Sequence, residues 1–125
     1  MIVLDASALL AFLFRETGHE MVAAVLDSGC LSTVNLAEVL GRFARDGRDS
    51  QAVLDRILAS PIEVVPFEAR DAAVVARLLP LTRSIGLSLG DRACLALALT
   101  RGIPALTADL SWSDLQVDVE IRVIR

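Results

Sequence analysis

The sequence predicts an α/β fold, a three-layer α/β/α sandwich around a central, mostly parallel sheet of about five strands. Short apolar runs, several of them β-branched, alternate with longer stretches whose apolar residues recur every three to four positions. Such alternation is what strand–helix–strand units produce. The short runs are apolar throughout instead of at every second residue, which marks strands covered on both faces. The chain of 125 residues is expected to form one domain, residues 1–125, around a single core.

Each element has its own local signal. Residues 2–4 form a short buried strand, and 7–14 a helix. A second helix starts at Thr17 or Gly18, carries Met21, Val22, Val25 and Leu26 at helical spacing, and stops at Gly29. Residues 30–33 supply the second strand. A helix over 36–45 ends near Gly47, and another over 49–59 precedes Pro61. Residues 62–65, flanked by prolines, give the third strand. A helix over 68–82 contains Pro80 near its end, where it is expected to kink or stop. Residues 89–101 make a strongly apolar helix capped by Gly102, and 104–107 and 120–124 the last two strands. There is no linker, repeat or low-complexity tract.

Composition excludes several function classes. Apolar residues make up 54% of the chain, more than is usual for a soluble domain, yet no uninterrupted apolar run reaches the roughly 20 residues of a membrane span. The excess points to buried parallel strands or to surface covered by a partner. The N-terminus lacks the basic region of a secretory signal, so a cytoplasmic location with no membrane association is expected. Cys30 and Cys94, far apart and without CxxC spacing, read as reduced core thiols in that setting. All twelve basic residues are arginine, so there is neither a P-loop lysine nor a lysine for a phosphotransfer receiver. A haloacid-dehalogenase-type phosphatase needs a second Asp where Ser7 stands. The net charge of −4 argues against nucleic-acid binding through bulk electrostatics. A nucleic-acid substrate would need local arginines, bound metal ions, or both.

Asp5, Glu38, Asp91 and Asp109 stand at junctions between apolar segments. Asp5 and Asp109 each follow an apolar strand, while Glu38 and Asp91 lie one turn into apolar helical patterns. In parallel α/β folds ligands bind beyond the carboxyl ends of the strands. Several carboxylates in one cleft repel each other, a cost that divalent cations relieve. Against this stands a purely structural role. Asn35-Leu36-Ala37-Glu38 and Ser88-Leu89-Gly90-Asp91 fit the capping-box spacing, and Asp5 and Asp109 fit helix N-caps. A non-catalytic α/β binding module whose acids are caps is therefore the alternative function.

The chain resembles the PIN-domain ribonucleases, specifically the small toxins of VapBC-type toxin–antitoxin pairs. The resemblance rests on four segments in order: Val3-Leu4-Asp5-Ala6-Ser7-Ala8-Leu9-Leu10; Val34-Asn35-Leu36-Ala37-Glu38-Val39; Gly86-Leu87-Ser88-Leu89-Gly90-Asp91-Arg92-Ala93-Cys94-Leu95-Ala96-Leu97-Ala98; and Leu106-Thr107-Ala108-Asp109 with Trp112. It implies a metal-dependent endoribonuclease in which Asp5, Glu38, Asp91 and Asp109 hold Mg²⁺ or Mn²⁺, hard cations that prefer oxygen. It also implies an RNA substrate, a cognate antitoxin and a homodimer. Ser7 and Thr107 are candidates to orient a ligand or water. Arg42 and Arg45, four and seven residues beyond Glu38, and Arg92, beside Asp91, are candidate RNA contacts. His19 reads as a solvated surface residue, and as the only histidine it excludes a histidine-pair mechanism by count. Trp112 is expected to pack the last helix. The helical face with Met21, Val22, Val25 and Leu26 is a candidate partner surface.

Overall fold

The computed structural model describes residues 1–125. In chain order the elements are β1 (Ile2–Leu4), α1 (Ala6–Leu13), α2 (His19–Ala23), β2 (Gly29–Ser32), α3 (Thr33–Arg45), α4 (Ser50–Ala59), β3 (Glu63–Val65), α5 (Ala69–Thr82), α6 (Leu89–Arg101), β4 (Ala105–Thr107) and β5 (Ile121–Val123). Short 3₁₀ turns lie at Leu26–Ser28, Arg83–Ile85 and Leu110–Asp114. The strands form one sheet in the order β3-β2-β1-β4-β5, and every neighbouring pair is parallel.

Parallel neighbours need crossovers, and helices in the connections cover both faces of this sheet. Side chains alternate across it. Ile2, Leu4, Leu31 and Leu106 pack with α1, α3 and α4, while Val3, Cys30 and Ala105 pack with α5 and α6. The apolar interior is thus two clusters, one per face, where one core was expected. Cys30 and Cys94 are both free and buried. Trp112, carried by a 3₁₀ turn, is fully buried in the second cluster, which it shares with side chains of α6 as expected. No helix is long and apolar enough to cross a membrane.

Three local expectations are corrected. The second helix is only His19–Ala23, after which the chain turns and enters a 3₁₀ segment. Val22 is buried, Val25 and Leu26 are half-buried, and only Met21 is exposed. The four side chains therefore do not form a free apolar face, because Val22 is used to anchor the segment to the first cluster. Helix α3 begins at Thr33, since the Ser32 hydroxyl accepts a bond from the Val34 amide at 3.2 Å and supplies the cap. Asn35 and Glu38 consequently lie inside the helix. Helix α5 continues through Pro80 to Thr82. Pro80 is exposed in the last turn, and the buried Thr82 hydroxyl donates back to the Leu78 carbonyl at 2.9 Å.

Candidate active site

Strand order reverses at β1. The chain passes from β1 to β2 and β3 on one side, then crosses to β4 and β5 on the other. The crevice beyond the carboxyl ends of β1 and β4 is where such sheets bind ligands, and Asp5 and Asp109 follow those two strands.

Asp5 is 2% exposed, and its amide extends the parallel ladder by donating to the Leu106 carbonyl at 2.9 Å. It occupies the N-cap position of α1 but makes no side-chain capping bond. Instead its Oδ2 accepts from the Ser7 hydroxyl at 2.6 Å and the Thr107 hydroxyl at 2.9 Å. Those hydroxyls in turn accept from the amides of Ala108 (3.0 Å) and Asp109 (3.1 Å). Ser7 and Thr107 thus aim their protons at one carboxylate oxygen and pin the end of β4 with their lone pairs. No protein group donates to the other oxygen, Oδ1. Burial pushes the Asp5 carboxyl up to about 6; the Ser7 and Thr107 bonds oppose the shift, and the charges of Asp91 and Glu38 add to it.

Glu38 extends from α3 toward α6. The residue as a whole is exposed, but its carboxylate rests on Gly90, so closely that a Cβ there would overlap it. Asn35, fully buried, donates from one Nδ2 to Glu38 Oε1 at 2.8 Å and to the Gly90 carbonyl at 2.9 Å. The burial of this carboxylate raises its pKa, the Asn35 bond lowers it, and the Asp91 charge raises it.

For Asp91 the capping role is real. Its Oδ2 accepts from the Ser88 amide at 2.9 Å while its own amide donates to the Ser88 hydroxyl at 3.2 Å. Its charge nevertheless acts on both Asp5 and Glu38. Asp109 is exposed and serves its own turn, where Oδ1 accepts from the Ser111 amide (2.9 Å) and hydroxyl (2.7 Å). The structure therefore brings Asp5, Glu38 and Asp91 into one field and turns Asp109 to Ser111. No group of three His, Cys, Asp or Glu side chains stands in a geometry that could hold a metal ion.

The arginines are engaged elsewhere. Arg42 pairs with Asp46 at 3.2 Å and lies 5.2 Å from the centre of the Phe14 ring. Arg45 pairs with the same Asp46 at 3.4 Å. Arg92 donates to the Val75 carbonyl of α5 at 3.2 Å. His19 is half-buried and contacts Glu20 at 3.0 Å. Asn35 and Gly90 are the neighbours that sequence reasoning missed as parts of the site. Gly90 did carry a signal, because glycine in the first turn of a helix is unfavourable unless something must approach closely.

A model of the PIN domain family matches residues 2–117. The chain belongs to the PIN domain family. Among solved structures, this PIN domain is similar to VapBC2 from Rickettsia felis, solved on a promoter DNA fragment, with a TM-score of 0.74 and 17% identity over 98% of both chains. It is also similar to a toxin–antitoxin complex from Klebsiella pneumoniae, with a TM-score of 0.73 and 14% identity over 97% of this chain and 100% of that one. For FitAcB from Neisseria gonorrhoeae the TM-score is 0.70 and the identity 24%, over 99% and 98% of the two chains. At these identities the likeness is one of fold. No curated protein matches this chain in sequence.

Proposed function

We propose that the chain is a metal-dependent endoribonuclease and the toxin of a type II toxin–antitoxin pair. PIN domains are generally nucleases, and the structural neighbours are toxin–antitoxin complexes. The observation that carries the reading is Asp5. A carboxylate buried at the switch point, held by two hydroxyls and exempt from capping, sits in the field of two further acids. Structural caps need no such setting. The alternative binding module draws support from Asp91 and Asp109, which do cap, but it leaves Asp5 and Glu38 without a role.

The donor chemistry fits a hard divalent cation. The groups in the field of Asp5 are carboxylates, their charges repel one another, and Asp5 Oδ1 has no protein donor. Asp5, Glu38 and Asp91 would hold Mg²⁺ or Mn²⁺ once their side chains converge on it, and Asp109 would join once its carboxylate leaves Ser111. When bound, the ion supplies a water of lowered pKa and neutralises charge on the scissile phosphate. The protein's part is orientation. Ser7 and Thr107 fix the rotamer of Asp5 and bind the end of β4 to it, and Asn35 fixes Glu38. Arg42, Arg45 and Arg92 would reach RNA phosphates only by giving up their present partners. The antitoxin and a second copy of the chain are the proposed protein partners. The test is incubation of the purified protein with structured RNAs and Mn²⁺ or Mg²⁺, followed by mapping of the cleaved ends. Cleavage by the parent and none by Asp5→Asn is expected. RNA left intact under all metal conditions rejects the nuclease.

A further inference from the structure

Asn35 on α3 hydrogen-bonds across to the backbone of α6 at the acid cluster. Its Nδ2 faces two acceptors, Glu38 Oε1 and the Gly90 carbonyl, so the amide orientation is fixed: a flipped amide would set oxygen against oxygen. That orientation leaves Asn35 Oδ1 buried with no partner. An unpaired buried carbonyl is costly, and the position lies in an apolar setting, beside Leu36 and within reach of Val39 on the same helix. A side chain chosen only for packing would be apolar here. Gly90 completes the arrangement from the other side. It offers bare backbone for the Glu38 carboxylate to rest on, and its helical position gives no conformational reason for glycine, since its φ is not positive.

We propose that Asn35 and Gly90 together form a clamp that positions Glu38, with Asn35 holding the carboxylate and Gly90 leaving room for it. The proposal rests on the metal-nuclease reading and assigns these two residues a positioning role within it. Two substitutions separate positioning from fold maintenance. Asn35→Leu keeps the number and branching of side-chain heavy atoms, removes the donor to Glu38 and also removes the orphaned Oδ1. Gly90→Ala leaves Asn35 intact and pushes away the flexible end of Glu38, while alanine favours the helix. Neither change should lower the metal-free melting temperature, yet both should weaken the metal site, because partners that orient a ligand typically contribute about 10–100-fold in affinity or activity.

The experiment follows the Mn²⁺-induced rise in melting temperature and, in parallel, kcat and KM on a cleaved RNA. Thr82→Ala serves as the control, a buried hydroxyl of α5 outside the site. The Mn²⁺ concentration for half-maximal stabilisation is expected to rise about 10–100-fold in both variants, with kcat lowered and KM for RNA unchanged. The control is expected to melt earlier with parental Mn²⁺ response. If Asn35→Leu does not fold, Gly90→Ala alone decides. A parental Mn²⁺ response in Gly90→Ala, or in a folded Asn35→Leu, overturns the clamp while the nuclease reading stands. A parent protein that neither responds to Mn²⁺ nor cleaves RNA removes both.

Discussion

Burial makes Asp5 a residue at odds with the stability of its own fold. Its carboxyl titrates at about 6, against 3.8 for an ordinary Asp. The folded state therefore holds the proton more tightly than the unfolded chain does. Below pH 4 both states are protonated and the charge costs nothing. Between pH 4 and 6 the unfolded chain ionises first, so stability falls as pH rises through that window. Above pH 6 the full penalty applies, on the order of 3 kcal/mol. Asp5→Asn keeps an acceptor for Ser7 and Thr107 and removes the charge. In chelator, the variant is expected to gain stability over the parent from pH 4 to 6 and to hold the gain at pH 7, with RNA cleavage lost. Urea melts at four pH values check this, and parallel curves for the two proteins would refute it. Asp109 differs, since its carboxylate already serves Ser111. Single-turnover cleavage should fall less in Asp109→Asn than in Asp5→Asn.

Among the elements, the entry to α2 shows what long-range contact imposes on local structure. Gly18 has φ +92°, and a Cβ there would strike the backbone carbonyl and side chain of Ile124, just past β5. Gly102, the cap of α6, has φ +64° with open space around it. Gly102→Ala should cost about 1–2 kcal/mol, the ordinary left-handed penalty. Gly18→Ala should cost more than that, because backbone must move as well. Chemical denaturation of both variants tests the order, and equal losses would show that the Ile124 contact is idle. The same contrast explains what the sequence made legible. Strands 2–4, 63–65 and 105–107 were each readable to within a residue, because an apolar run between turn formers has few other interpretations. The short α2 was not, because its length is set by Gly18 against Ile124 and Val22 in the core, partners distant in sequence. Asn35-x-x-Glu38 fits a cap and a mid-helix pair equally well, and only Ser32 decided between them. The arginines kept their helical spacing, but Asp46 and the Val75 carbonyl, invisible as partners beforehand, took them.

Over the whole molecule, an acidic chain of net charge −4 brings three of its carboxylates into one another's field. A partner protein that inhibits by placing an arginine or lysine among them would compete with the metal for the same charge. Linkage then requires that Mn²⁺ weaken the complex. We expect the affinity of the co-purified pair to fall across a Mn²⁺ titration at constant ionic strength. An affinity that stays flat would leave blockage of the RNA path as the means of inhibition. The parallel architecture itself was legible from the alternation of strand and helix patterns. The crevice was legible only in part, since nothing local distinguishes Asp5, which does not cap, from Asp91, which does.

The Asp5–Thr107 bond also has a consequence in time. It spans 102 residues, and its companion between Ser7 and Ala108 spans 101. On the ribosome the first acid leaves the tunnel early, while one of the two hydroxyls that fix it comes near the end. Contacts this distant in sequence form late in folding, and domains generally fold as units during synthesis. A chain stalled or cleaved before β4 has Asp5, Glu38 and Asp91, but Asp5 is held by Ser7 alone, without Thr107 or the ladder bond to Leu106. The proposed site is therefore incomplete through most of the chain's own translation.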